Sequence, residues 1–125
     1  MLFDTDILVW VQRGSHKAAR LIDRSMDRCI SIYSYLELLQ CAVDKQQHQT
    51  VHEFLSTFGF NVLPLTENIG HRALIYIESY SLSHGLRAGD AVIAATAAEN
   101  ALTLATANAK HFRPIKGLKL QIFHP

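Results

Sequence analysis

The sequence has little of most things that mark a specialised protein class. It carries two cysteines in 125 residues, Cys29 and Cys41, and no short metal-ligand spacing joins them. That is no disulfide framework, and free buried thiols in a reducing cytosol are expected. There is neither a Cys/His cluster nor an HExxH-like spacing, so zinc is disfavoured. No glycine-rich loop follows the first apolar run, which sets aside a nucleotide-binding α/β domain. No stretch approaches the roughly 20 apolar residues that span a bilayer. The opening "MLFDTDIL" lacks a basic leader, and Asp4 and Asp6 interrupt its apolar run, so no signal peptide is expected and the location expected is cytoplasmic. Linkers of low complexity and internal repeats are also missing, which predicts one domain over residues 1–125. The net charge is only +1 with histidines neutral. Composition therefore gives no argument for nucleic acid, although charge gathered on one face escapes such a count.

What is present is a chain 49% hydrophobic and 18% charged, a globular balance with enough length for a real core. "MLF" reads as a short buried strand, followed by a helix from about Ile7 to Val11. "GSHKAARLIDRSMDR" gives a second helix with Ala18, Leu21, Ile22 and Met26 at helical spacing and Ser15 as its cap. "CISI" suits a second strand. "SYLELLQCAVD" reads as a helix burying Leu36, Leu39 and Val43, and "TVHEFLSTF" as another, stopped by Gly59. After the strand-like "NVLPL" comes a long helix, with Thr66 as cap and Gly85 as terminator. "AGDAVIAATA" is a helix of small residues, "LTLAT" a strand, Ala109 to Phe112 a helical turn, and "LKLQIF" a last strand. Short strands without period-two polarity, alternating with helices, predict an α/β three-layer sandwich around a short central parallel sheet.

Such folds place ligands at the carboxyl ends of the strands, where strand order reverses. Asp4 directly follows the first strand, and Glu37 lies one turn into the helix after the second. Asp90 begins the small-residue helix, and Asn108 and His111 follow "LTLAT". Three carboxylates converging there would raise one another's pKa. A hard divalent cation, Mg²⁺ or Mn²⁺, removes that penalty and needs only one or two direct carboxylates. Each residue also has an ordinary structural role open to it. Asp90 and Asp4 are good helix caps, Glu37 suits a solvated face, and His111 suits surface or core. Their shared placement at strand ends favours a site.

With these residues assembled, the chain resembles the PIN-domain family, specifically the VapC-type toxins of toxin–antitoxin pairs. "LFDTDIL", "SYLELL", "GLRAGDAVIAATA" and "LATANAKHF" resemble its four motifs in order, with "LPLTENIGHRA" as the spacer. The resemblance implies a Mg²⁺- or Mn²⁺-dependent endoribonuclease that cuts structured RNA, tRNA or rRNA, and arrests translation. It implies Asp4 and Asp90 as metal ligands and Glu37 completing the acidic pocket. It further implies Thr5, Ser34 and Thr106 as residues that position water or phosphate. Many relatives carry a further aspartate in the fourth motif, where this chain has Asn108 and His111; one well-occupied metal site follows. Water activated at that metal would leave a 5′-phosphate and a 3′-hydroxyl.

Arg13, Lys17, Arg20, Arg24 and Arg28 step by three or four along the early helices. Asp23 and Asp27 stand close enough to pair with Arg20 and Arg24, so a solvated helix face is favoured over a phosphate-tracking surface. Arg87, three residues before Asp90, and Lys110 beside His111 are better placed to hold RNA near the chemistry. The resemblance also implies a homodimer and a cognate VapB-type antitoxin, with DNA contacted only through that antitoxin and no membrane. "FLSTFGF" and "LIYIESYSL" offer aromatic and aliphatic surface for an interface, or ordinary core. The competing function is a catalytically weak or silent PIN-like module that binds RNA or protein.

Overall fold

A computed structural model describes residues 1–125. The elements run β1 (Leu2–Phe3), α1 (Thr5–Gln12), α2 (His16–Arg24), β2 (Cys29–Ser31), α3 (Ile32–Cys41), α4 (Lys45–Thr57), β3 (Asn61–Leu63), α5 (Glu67–His84), α6 (Ala88–Glu99), β4 (Leu104–Thr106), α7 (Ala109–Phe112) and β5 (Leu120–Ile122). The five strands form one sheet in the order β3-β2-β1-β4-β5, and every pairing is parallel. The expected three-layer α/β architecture is the one observed. Strand order reverses between β1 and β4, so the crevice at their carboxyl ends is the switch point.

Alternation along the strands builds both outer layers. Leu2, Cys29 and Leu104 face a core completed by α5 and α6. Their neighbours Phe3, Ile30 and Ala105 face a second core with α1, α2, α3 and α4. Ala91, Ala94, Ala95 and Ala97 of α6 have no exposed surface, and their small side chains let that helix lie close against the sheet. Thr66 caps α5 through its hydroxyl, which accepts from Ile69 N–H, and Gly85 closes the helix at φ 70° in the left-handed region. No helix is long and apolar enough to cross a membrane.

Several local expectations change. α1 starts at Thr5 because Asp4 is its cap, not at Ile7. α2 ends at Arg24, which leaves Met26 fully exposed beyond it. In α3 the buried stripe is Ser34 and Leu38; Leu36 points outward, and Val43 lies past the helix end. The strands are shorter than their apolar runs. β3 stops at Leu63 because Pro64 has no N–H for the ladder. Both thiols are free, but only Cys29 is buried; Cys41 is exposed at the end of α3.

The basic stripe also differs. Neither Arg20–Asp23 nor Arg24–Asp27 pairing forms; Arg72 pairs with Glu99, and His71 lies 3.7 Å from Glu67 one turn earlier on α5.

Candidate active site

Asp4 occupies the first position after β1. It is 7% exposed, and both of its oxygens are used. Oδ1 accepts from Thr5 N–H at 2.8 Å, and Oδ2 accepts from the Thr106 hydroxyl at 2.7 Å. The Thr106 oxygen accepts in turn from Asn108 N–H at 3.0 Å. A strand-end threonine thus fixes the carboxylate across 102 residues of sequence.

Asp6, in the first turn of α1, shares the crevice. Its Oδ2 accepts from Ala107 N–H at 3.1 Å, while its buried Oδ1 has no partner. The Thr5 hydroxyl lies 2.6 Å from Glu37 Oε1 and 2.8 Å from the Ser34 hydroxyl. One hydroxyl proton serves one acceptor, and the carboxylate is the stronger; Thr5 therefore donates to Glu37 and accepts from Ser34.

Asp90 stands in the first turn of α6, which begins two residues earlier at Ala88. Rather than starting the helix, it accepts from Arg87 N–H at 3.4 Å, a long contact that leaves most of its hydrogen-bonding capacity free. Beside it, Gly89 makes room for Tyr33. A Cβ at position 89 would lie 2.6 Å from a Tyr33 ring carbon and 2.7 Å from its hydroxyl. Burial, followed by Glu37 and Asp90, raises the Tyr33 pKa, so the phenol stays protonated as a donor.

Together Asp4, Thr5, Asp6, Tyr33, Glu37, Arg87, Gly89, Asp90, Ile93 and Asn108 line one polar cavity of about 270 Å³. Burial pushes Asp4 up to about 7, with Asp6 and then Asp90 adding repulsion against the opposing Thr106 hydrogen bond. Burial likewise pushes Asp6 up to about 6, with Asp90 adding to it against backbone hydrogen bonds from Ala107 and Ile7. The protein alone leaves these carboxylates undercompensated at neutral pH. No three acidic, histidine or cysteine side chains close around a common point as in a protein-only metal cage. Oxygen donors spread around an open, polar cavity suit a hard ion that keeps several of its waters.

Of the residues expected from the sequence, Asp4, Thr5, Glu37, Arg87, Asp90 and Asn108 meet in this cavity. Ser34 and Thr106 do not face it. Both have no exposed surface; Thr106 holds the Asp4 carboxylate and Ser34 holds the Thr5 hydroxyl that reaches Glu37, instead of presenting hydroxyls to water or phosphate. Lys110 is exposed on α7 away from the cavity wall. His111 also stays off it, with a buried Nδ1 that has no partner. Sequence reasoning missed Asp6, Tyr33 and the role of Gly89. Only Asp6 left a signal: once Asp4 is the cap, the second acid of "DTD" falls in the same helical turn.

The PIN domain family model matches residues 1–117. Ribonuclease VapC10 of Mycobacterium tuberculosis is 36% identical over 124 residues, covering 95% of this chain and 90% of the relative. Among solved structures, a toxin–antitoxin complex from Klebsiella pneumoniae superposes with a TM-score of 0.79 at 30% identity, covering 94% of this chain and 93% of that one. VapBC-1 from nontypeable Haemophilus influenzae gives a TM-score of 0.81 at 21% identity over 97% and 96% of the two chains, a likeness of fold.

Proposed function

The chain belongs to the PIN domain family, in its VapC-type branch, and from that premise we propose that it is a Mg²⁺- or Mn²⁺-dependent endoribonuclease, the toxin of a type II toxin–antitoxin pair. Its substrate is structured RNA, tRNA or rRNA, and its effect is arrest of translation. One observation carries the reading: Asp4, Asp6, Glu37 and Asp90 share a cavity at the sheet's switch point, where burial first, and then repulsion from Asp6 and Asp90, raises Asp4 to about 7.

Asp4 and Asp90 would hold the ion directly, with Asp6 and Glu37 adding negative charge around it. Bound there, such an ion supplies an activated water and neutralises charge developing on a phosphate. The protein's own contribution is preorganisation. Thr106 fixes the Asp4 carboxylate and Thr5 fixes Glu37, so neither has to reorient during the reaction. Tyr33, Arg87 and Asn108 are the hydrogen-bond donors on the cavity wall. They oppose the repulsion that an RNA phosphate meets on entering an acidic pocket. Asp6 supplies a charge that Asn108 does not, which keeps the cavity strongly acidic.

A cognate VapB-type antitoxin partners the protein, and any operator DNA is reached through that antitoxin. A homodimer is supported by α5, where Leu74, Ile75 and Leu82 are 61%, 58% and 100% exposed.

The test is cleavage of a mixed tRNA and rRNA pool with Mg²⁺, with Mn²⁺ and with EDTA, alongside Asp90→Asn. Discrete products bearing a 5′-phosphate, absent with EDTA and in the variant, are expected. A 2′,3′-cyclic phosphate product would overturn the mechanism, because it requires attack by the ribose hydroxyl.

A further inference from the structure

Five basic residues follow one another at helical spacing near the N-terminus, and the fold divides them. The outer two are committed to structure. The Arg13 guanidinium lies 5.8 Å over the Trp10 ring. Arg28 donates to the carbonyls of Ser25, Phe58 and Asp23 at 3.1, 2.9 and 3.3 Å. The middle three, Lys17, Arg20 and Arg24, are exposed and make no side-chain hydrogen bond or ion pair. All three line a single groove of about 330 Å³ between α2 and the edge strand β5, with His124 on the opposite wall. Leu21 and Phe123 form its buried floor. No carboxylate side chain lines this groove, although acids are as common as bases in the chain, 11 against 12.

The groove also has a fixed relation to the acidic cavity. Phe123 N–H donates to the Thr106 carbonyl at 2.8 Å, and the Thr106 hydroxyl holds Asp4. His124 follows β5 as Asn108 follows β4, so both lie at the carboxyl end of the sheet. β5 stands two strands from β1, about 10 Å at ordinary strand spacing. Successive phosphates of one nucleic-acid strand advance by about 3.4 Å of helix axis. A strand with one phosphate at the acidic cavity therefore reaches the His124 end of the groove within a few nucleotides.

We propose that the α2–β5 groove is a phosphate-binding site for the RNA backbone, separate from the catalytic cavity, in which Lys17, Arg20 and Arg24 track the strand flanking the cleavage point. This deepens the ribonuclease reading and rests on it. Free, like-charged side chains on one helix face supply the sequence-independent part of nucleic-acid affinity, and their counterions are released when phosphates replace them. Specificity for a particular RNA is left to the cavity. The near-neutral composition conceals this device, because positive charge is gathered here while negative charge is gathered two strands away.

The experiment measures binding of a labelled tRNA stem-loop in EDTA, where cleavage is blocked, over a range of salt concentrations. It compares wild type, the triple substitution Lys17→Gln/Arg20→Gln/Arg24→Gln, and the control Lys45→Gln on exposed α4. The triple variant should bind at least tenfold more weakly at low salt, with the slope of log K against log[salt] reduced by about 2, at about 0.7 per phosphate contact. The control should match wild type. With Mn²⁺ restored, the triple variant should show a raised KM and an unchanged kcat. Equal affinity and equal slope in wild type and triple variant overturn the groove while leaving the ribonuclease intact. Wild type that neither binds nor cuts RNA overturns the ribonuclease reading itself. A triple variant that binds RNA normally but loses its antitoxin assigns the groove to that protein and overturns the proposal.

Discussion

Replacing Asp4 with asparagine should stabilise the metal-free protein at alkaline pH while disabling its site. The carboxyl is nearly buried, and its pKa rises from 3.8 to about 7, chiefly through loss of hydration and then through repulsion by Asp6 and Asp90. At 1.36 kcal/mol per pH unit, ionised Asp4 penalises the fold by about 4 kcal/mol as a ceiling. The sign follows from proton counts. Between pH 3.8 and about 7 the folded state holds more of this proton than the unfolded state. Stability therefore falls as pH rises through that window, and the full penalty applies above it. The rise to about 7 already includes the opposing Thr106 hydrogen bond, so an amide abolishes the penalty as a whole. It offers one acceptor oxygen, however, where Asp4 accepts from both Thr5 N–H and the Thr106 hydroxyl, and that mismatch costs about 2 kcal/mol. A net gain of about 2 kcal/mol near pH 8.5 remains. Near pH 5 the gain should vanish or reverse. Urea denaturation in EDTA, followed by Trp10 fluorescence at both pH values, measures this, and the difference between the two proteins isolates Asp4 from other titrating groups. Mn²⁺ should restore stability to wild type at alkaline pH through selective binding to the folded state, and should do little for Asp4→Asn. A variant less stable than wild type near pH 8.5 would refute the reasoning.

Three further outcomes follow from particular contacts. Gly89→Ala places a methyl group 2.6 Å from the Tyr33 ring; helix propensity offsets the ring's displacement, so stability should stay within about 1 kcal/mol while RNA cleavage slows about tenfold, and unchanged cleavage would contradict the role given to Tyr33. Arg28→Ala removes three donations to backbone carbonyls and should destabilise by about 2 kcal/mol in denaturant titration, with the salt dependence of RNA binding unaltered. Leu74→Glu/Leu82→Glu, on the exposed side of α5, should halve the mass seen by light scattering; a dimer that persists would place the interface elsewhere.

The architecture was legible because periodicity and caps agreed. Ser15 and Thr66 start helices and Gly85 ends one where their chemistry favours it, and alanines beside Asp90 mark a helix pressed against a sheet. Strand lengths were less legible, since apolar runs in a buried sheet continue into the next turn or helix, as Ile32 does. The site was readable at Asp4, which immediately follows a strand, and at Glu37 and Asp90, inside α3 and α6, through the motifs that carry them. Asp6 escaped because placing the α1 start two residues late separated it from Asp4. The Tyr33–Gly89 contact joins α3 to α6 and leaves no local pattern in either segment. The basic stripe misled for a related reason. Spacing shows which charges share a helix face, but not that Arg28 is taken up by the Phe58 carbonyl 30 residues away.

The central claim is that the acidic cavity holds a hard divalent cation, and Mn²⁺ titration by calorimetry near pH 6.5 tests it most directly. Run in buffers of different ionisation enthalpy, it reads proton release together with stoichiometry. The expected result is one Mn²⁺ per chain, bound with release of protons from carboxyls raised to about 7 and about 6, and lost in both Asp4→Asn and Asp90→Asn. Folded wild type that takes up no Mn²⁺, or binding undiminished in the two variants, would contradict it.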